Sequence, residues 1–268
     1  MKLIDLFKKR TPALGLALSG GATHGAAHIG VLQVLEREGI RPQFVAGTSA
    51  GALIGAAYCA GVPVDELSEL FLSMDWPTLL RLSIKKPLSL FDTQPMEEFI
   101  KKKIGDCVFE DLNIPFAAIA CNIVTGERVV LDHGPLAPAI RASAAIPGLF
   151  SPVEIEGRLL VDGGIVDNLP VEQARAMGAK FIIASDVSKR GKLTKRPENP
   201  FEIVLSMIYI MQEHGALVNS DACDCYIRPE VSQYSSWGFG DSAKVLEAGK
   251  TAAEEALPQL FKFRAQKK

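Results

Sequence analysis

The sequence predicts an α/β fold built on a mainly parallel central sheet. Two observations carry that expectation: apolar strand-like runs alternate with helix-like runs from Leu14 to Ala60, and each strand passes to its helix through a glycine-containing turn. Parallel neighbours need a helical crossover, so the order strand, helix, strand, helix implies such a sheet. Size is the third observation, because 268 residues with 48% hydrophobic content suffice for one large core. A single domain over residues 1–268 is therefore expected.

Leu14 to Leu18 is a short apolar strand ending in Ser19-Gly20-Gly21. His24 to Glu38 follows as a helix through Ile29, Leu32, Val34 and Leu35, stopped by Gly39. Phe44 to Ala46 is the next strand, and a helix runs from the Ser49 turn to about Ala60. From Asp75 to Gln94 the pattern breaks around Trp76-Pro77 and Lys85-Lys86-Pro87, an irregular excursion long enough to serve as a lid. A helix from Pro95 to Ile104 precedes two paired strands, Phe116 to Asn122 and Arg128 to Leu131, joined at Thr125-Gly126. Pro138 to Ser143 is a short helix, and Ile155 with Leu159 to Val161 forms a hairpin across Glu156-Gly157. Val171 to Met177 is helical and Phe181 to Asp186 is a buried strand. Ser188 to Pro200, with five Lys/Arg and two Pro, reads as a solvated linker within the domain. The apolar run Ile203 to Met211 reads as a core helix, with an interfacial helix as the alternative. The last long helix spans Ser242 to Leu257, stopped by Pro258.

Composition excludes several classes of function. A formal net charge of −2 argues against nucleic acid as a partner, since a nucleic-acid binder carries a large excess of Lys and Arg. The five cysteines are odd in number and sit mostly in apolar contexts, which fits reduced core thiols in a cytoplasmic protein. Residues Met1 to Arg10 lack the long apolar stretch of a secretory signal, and no run approaches the roughly 18 apolar residues of a membrane span. Scattered histidines and carboxylates without EF-hand spacing suggest no metal site, so calcium-independent chemistry without a cofactor is expected.

Three short stretches carry chemistry. Gly47-Thr48-Ser49-Ala50-Gly51 fits G-x-S-x-G, the sharp strand-to-helix turn that exposes a serine hydroxyl. Ser49 reads either as a nucleophile or as the cap of the helix that begins near Ala50. Leu18-Ser19-Gly20-Gly21-Ala22-Thr23-His24-Gly25 lies between a strand and a helix, where backbone N–H groups hold an oxyanion or a phosphate. It lacks both the Gly-Lys-Ser/Thr ending of a P-loop and the G-x-G-x-x-G pattern, which disfavours a nucleotide. Asp162, before Gly163-Gly164 at the end of an apolar strand, is either an open carboxylate or an Asx-type turn.

Together these blocks resemble the patatin-like phospholipase family, which includes the catalytic domain of neuropathy target esterase. The resemblance rests on the glycine loop with Gly25-Ala26-Ala27-His28-Ile29-Gly30-Val31-Leu32, then Gly47 to Gly51, then Ala142 to Pro152, then Asp162-Gly163-Gly164 with Asp167-Asn168-Leu169-Pro170-Val171. The blocks occur in the family's order between about Leu14 and Asp186, and the helices of 201–264 would belong to the same domain. The resemblance implies a three-layer α/β/α fold and a serine acyl hydrolase of phospholipase A or lysophospholipase type. Ser49 and Asp162 would be its catalytic dyad, Gly20, Gly21 and Ala22 its oxyanion loop, and Gly47 and Gly51 the flanks of its nucleophile elbow. Two positions depart from the pattern: Ala22 replaces a usual third glycine and His24 a usual arginine. If position 22 requires positive φ, alanine there carries about 1 kcal/mol of strain.

Two alternatives stand beside the dyad. A Ser-Asp-His α/β-hydrolase would use His214, which follows Asp162 and Asp186 in the chain. A lipid- or acyl-binding protein would keep the fold with an impaired oxyanion loop. The expected partner is a lipid or acyl ester, with peripheral contact at the inner face of the membrane. The basic-apolar N-terminus, the run Ile203 to Met211, and Lys262, Arg264, Lys267 and Lys268 would permit that contact.

Overall fold

The computed structural model describes residues 13–83, 89–188 and 196–265. The basic N-terminal segment, the linker residues 189–195 and the last lysines lie outside them. Among the described residues ten strands form: β1 (Leu14–Leu18), β2 (Phe44–Thr48), β3 (Arg81–Leu82), β4 (Phe91–Asp92), β5 (Phe116–Asn122), β6 (Arg128–Leu131), β7 (Val153–Ile155), β8 (Arg158–Asp162), β9 (Phe181–Ser185) and β10 (Cys225–Ile227). The helices are α1 (Ala26–Arg37), α2 (Ala50–Cys59), α3 (Val64–Leu72), α4 (Trp76–Leu79), α5 (Gln94–Ile104), α6 (Leu136–Ser143), α7 (Val171–Ala176), α8 (Pro200–Ser220) and α9 (Ser242–Ala265).

The main sheet runs in the order β10-β9-β1-β2-β5-β8-β7, with β6 also paired to β5. From β10 to β5 every pairing is parallel, and β8, β7 and β6 add antiparallel partners at the other end. β1 shows why helices cover both faces. Leu14, Leu16 and Leu18 join Val45 and Ile183 in a large cluster with α1, α2, α3, α5, α6 and α9. Ala17 points the other way, into a smaller cluster with Ala46, Ala184, Val171 and Ala174 of α7 and Ala216 of α8. Period-two alternation thus puts bulky side chains on one face and small ones on the other. The expected α/β/α layering follows. The small face lets α7 and the turn after it approach closely: a Cβ on Gly15 would lie 3.3 Å from that of Ala174 in α7 and 2.6 Å from that of Ala179 in the turn.

Most expected elements form with shifts of a residue or two, but three differences remain. α9 runs through Pro258 instead of stopping there. Proline forfeits the hydrogen bond to the carbonyl of Glu254, but both residues face solvent, while Leu260 beyond them is buried in the main core. Packing of the last turns outweighs the local break. α3, α4, β3, β4 and β10 form where no regular element was expected. The third difference concerns α8: the run Ile203 to Met211 is not a core helix, since Ile203, Val204, Met207, Ile210 and Met211 are all exposed.

Candidate active site

Two strand-to-helix turns meet at the C-terminal end of the parallel strands, where an α/β sheet opens a crevice for ligands. In the second of them Ser49 adopts φ 54° and ψ −118°. A left-handed φ costs a non-glycine residue about 1–2 kcal/mol, and it is held here by close backbone contacts on both sides. A Cβ on Gly47 would sit 2.4 Å from the Gly51 carbonyl, and one on Gly51 would sit 2.3 Å from the Leu18 carbonyl. Only glycine fits at either flank. Ser49 occupies the N-cap position of α2, yet its hydroxyl makes no capping bond. Its backbone N–H donates instead to Ser143 Oγ at 3.0 Å, and that hydroxyl donates onward to the Ile119 carbonyl at 2.6 Å. The buried Ser143, at the end of α6, therefore fixes the turn while the Ser49 hydroxyl is free of any capping bond.

Asp162 ends β8 and is fully buried. Both sequence readings of it prove compatible. Oδ1 accepts from the Gly164 N–H at 2.7 Å, closing an Asx-type turn. Oδ2 is buried without a hydrogen bond of full geometry among the described residues, and its polar neighbour is the Ser49 hydroxyl. Desolvation pushes the Asp162 pKa up to about 6, against the opposing pull of Ser49 and the Gly164 N–H. Gly163 must be glycine, because a Cβ there would lie 2.4 Å from the Ile119 carbonyl.

The glycine loop after β1 completes the arrangement and narrows the expected donor set. Gly20 does not offer a free N–H: it donates to the Asn168 carbonyl at 3.1 Å. A Cβ on Gly20 would lie 2.5 Å from Asn168 Oδ1 and 3.1 Å from Ser49 Cβ, so its role is close packing. The N–H groups of Gly21 and Ala22 have no acceptor among the described residues. Ala22 adopts φ 52°, so the strain foreseen for alanine at this position is present.

Beneath the loop lies a buried polar network. His28 Nε2–H donates to the Ser19 carbonyl at 2.9 Å, which leaves Nδ1 to accept from the Ser185 hydroxyl at 2.9 Å. Burial pushes the His28 pKa down to about 4, so the ring is neutral at physiological pH. Ser19 Oγ accepts from the Val187 N–H at 2.8 Å. His24, in the place of the expected arginine, is buried and turned toward the Tyr234 carbonyl at 3.2 Å. Ser143 and Asn168 were not assigned roles from sequence, since Ser49 and Gly20 lie 94 and 148 positions away from them in the chain.

The surroundings are apolar. Ser49 and Ala22 line a pocket with Leu53, Phe71, Met96, Ile146 and Phe150. Phe150 also lines a neighbouring groove with Leu80, Leu82, Phe91 and Leu205, so the excursion between Asp75 and Gln94 forms one wall of the approach. Its residues 84–88 lie outside the description. The histidine of the alternative triad is elsewhere. His214 is on the exposed side of α8, whereas Gln212 of the same helix lies toward the Asp162 turn, 2.5 Å from where a Cβ of Gly164 would be. Asp186 accepts from Tyr226 and Ser188. All five cysteines are free, and the described residues contain no cluster of three or more His, Cys, Asp or Glu that could hold a metal ion.

Comparison with known proteins shows the family and the fold. The signature of the family described as patatin-like phospholipase matches residues 16–175. An NTE family protein of Mycobacterium tuberculosis is 38% identical over 177 residues, covering 65% of this chain and 49% of that protein. Neuropathy target esterase sws of Drosophila melanogaster is 29% identical over 272 residues, covering 88% of this chain and 19% of its own length. The chain thus spans about half the length of the mycobacterial relative and far less of the fly protein. Among solved structures, VipD from Legionella pneumophila superposes with a TM-score of 0.60 at 14% identity, over 92% of this chain and 67% of that one, a likeness of fold.

Proposed function

Because the chain belongs to the patatin-like phospholipase family, we propose that it hydrolyses carboxylic esters of lipids, with Ser49 as nucleophile and Asp162 as general base. One observation carries the reading: buried Asp162 spends Oδ1 on the Gly164 turn, keeps Oδ2 without a hydrogen bond, and has the Ser49 hydroxyl as a neighbour. Oδ1 holds the carboxylate in place, and Oδ2 is left to take a proton.

In this mechanism Ser49 Oγ attacks the ester carbonyl carbon as its proton passes to Asp162 Oδ2. The carbonyl oxygen becomes an oxyanion that accepts from the N–H groups of Gly21 and Ala22, each worth about 3 kcal/mol when aligned. Collapse expels the alcohol, which takes the proton from Asp162, and leaves an acyl group on Ser49. Water then attacks the acyl-enzyme with Asp162 again as base, restoring the free serine. A carboxylate raised to about 6 is a better base than an exposed one and remains ionised at neutral pH. The apolar pocket around Ser49 suits an acyl chain. Phospholipids and lysophospholipids are the proposed substrates, and the free thiols fit a reducing, cytoplasmic setting.

The test is hydrolysis of a short-chain p-nitrophenyl ester and of a fluorescent phospholipid by wild type, Ser49→Ala and Asp162→Asn. Loss in both variants with chelator-insensitive wild-type activity is expected. The strained Ala22 and the missing arginine at position 24 favour one rival, a protein that binds acyl chains without turning them over. A folded wild type that is inert to both esters and to a fluorophosphonate probe would make that rival the correct reading.

A further inference from the structure

α8 has its faces reversed relative to an ordinary surface helix. Its exposed residues follow helical spacing, and apart from His214 they are all apolar, with Met207 57%, Ile210 58% and Val218 70% exposed. Its charged residues, Glu202 and Glu213, lie off this stripe and are half-buried. With 21 residues the helix is about 31 Å long, and the stripe extends from Ile203 to Val218. Contiguous exposed apolar surface of this kind marks a binding face.

What the face binds is indicated by where it leads. Leu205, at the stripe's edge, lines the groove that also holds Leu80, Leu149, Phe150 and Trp237. Across that groove Leu82 is 71% exposed. Phe150 is shared with the Ser49 pocket, so apolar surface continues from the stripe to the nucleophile. The lining of the groove is apolar apart from Arg81, which pairs with Asp92, and Trp237 beside it is of the residue type that settles at bilayer interfaces. A second protein copy seated on the stripe would cover this entrance.

Resting on the lipid-ester reading above, we propose that α8 is the membrane-docking element: its exposed face lies in the headgroup and acyl boundary of a lipid bilayer and places the groove mouth against the substrate. The helix brings apolar area and no lysine or arginine. Its contribution to docking therefore does not depend on anionic lipid and survives high salt.

Flotation with phosphatidylcholine vesicles at about 1 M salt, where exposed charges are screened beyond about 3 Å, tests this. Wild type and Ser49→Ala should float equally. The double variant Met207→Glu with Ile210→Glu should bind at least about tenfold more weakly, from the apolar area it can no longer bury. Its hydrolysis of vesicle phospholipid should fall in parallel while hydrolysis of a soluble short-chain ester is unchanged. Leu217→Glu with Val218→Glu, on the other half of the stripe, repeats the test should the first variant misfold. Wild type that fails to float, or glutamate variants that float as well as wild type, would overturn the proposal. So would a wild-type dimer that the variants convert to monomer. Because flotation needs no turnover, a wild type that floats but cleaves no ester would sink the hydrolase reading alone.

Discussion

Ala22 and Ser49 follow successive parallel strands, open successive helical segments and share one backbone feature, φ of 52° and 54°. What surrounds them differs. Ser49 is locked by Ser143 and by glycines at 47 and 51 whose neighbours leave no room for a Cβ. Its hydroxyl is thereby carried clear of the helix it would otherwise cap. Ala22 presents only a methyl group to the same pocket, so its strain buys no side-chain chemistry. In the proposed mechanism strain at Ser49 is inseparable from presenting the nucleophile, whereas strain at Ala22 is removable. The two turns therefore predict opposite responses to substitution.

The largest effect is expected at the serine turn. Ser49→Ala should lower ester hydrolysis by about 10⁴-fold or more and abolish fluorophosphonate labelling, with the thermal unfolding midpoint retained. Residual activity near wild type would break the comparison, because Ser49 would then be an ordinary turn residue.

Asp162→Asn should lower the rate by at least about 10³-fold and at the same time stabilise the fold. The sign follows from a raised folded-state pKa: the native state favours the protonated carboxyl. Stability associated with this group is full below the unfolded value of 3.8 and is lost as pH rises through about 6. Asparagine avoids that loss, so the variant should gain about 3 kcal/mol at pH 8 and little near pH 4, read by urea unfolding. For the same reason wild-type activity should fall as pH drops below about 6.

His28 supports the Ala22 loop from below, and its shift has the opposite sense. A lowered folded-state pKa means that stability is full above 6.5 and is lost as pH falls toward about 4. Wild type should lose about 3 kcal/mol over that interval from this group. His28→Gln should flatten the pH dependence, and it should lower activity by about tenfold if the loop carries the oxyanion donors. Unchanged activity would detach the loop from the reaction.

The smallest effect separates the turns most cleanly. Ala22→Gly should raise stability by about 1 kcal/mol with activity equal to wild type or a few-fold higher. The corresponding Ser49→Gly would relieve comparable strain and remove all activity. A destabilised Ala22→Gly would show that the alanine methyl packs usefully against the pocket.

Much of this was legible in the chain because turn chemistry is local. Gly47 and Gly51 around Ser49, and Asp162 before Gly163-Gly164, announce backbone crowding within five residues. What was not legible depends on pairs far apart. Ser143 reaches Ser49 across 94 positions, and Asn168 takes the Gly20 N–H across 148. The loop's donor set therefore shrank to Gly21 and Ala22 only once β1 and the turn after β8 were placed together. The apolar run of α8 was misread for a related reason: hydrophobicity along a helix does not say which side is covered.

The sequence by itself determined the alternation of strands and helices and the tight turns that hold Ser49 and Asp162, because each arises from steric and hydrogen-bonding preferences spanning a few residues. Tertiary structure decided which N–H groups remain unspent, how far Asp162 is desolvated and which face of α8 meets the surroundings. Those are properties of partners and burial, and they exist only when distant segments pack against one another.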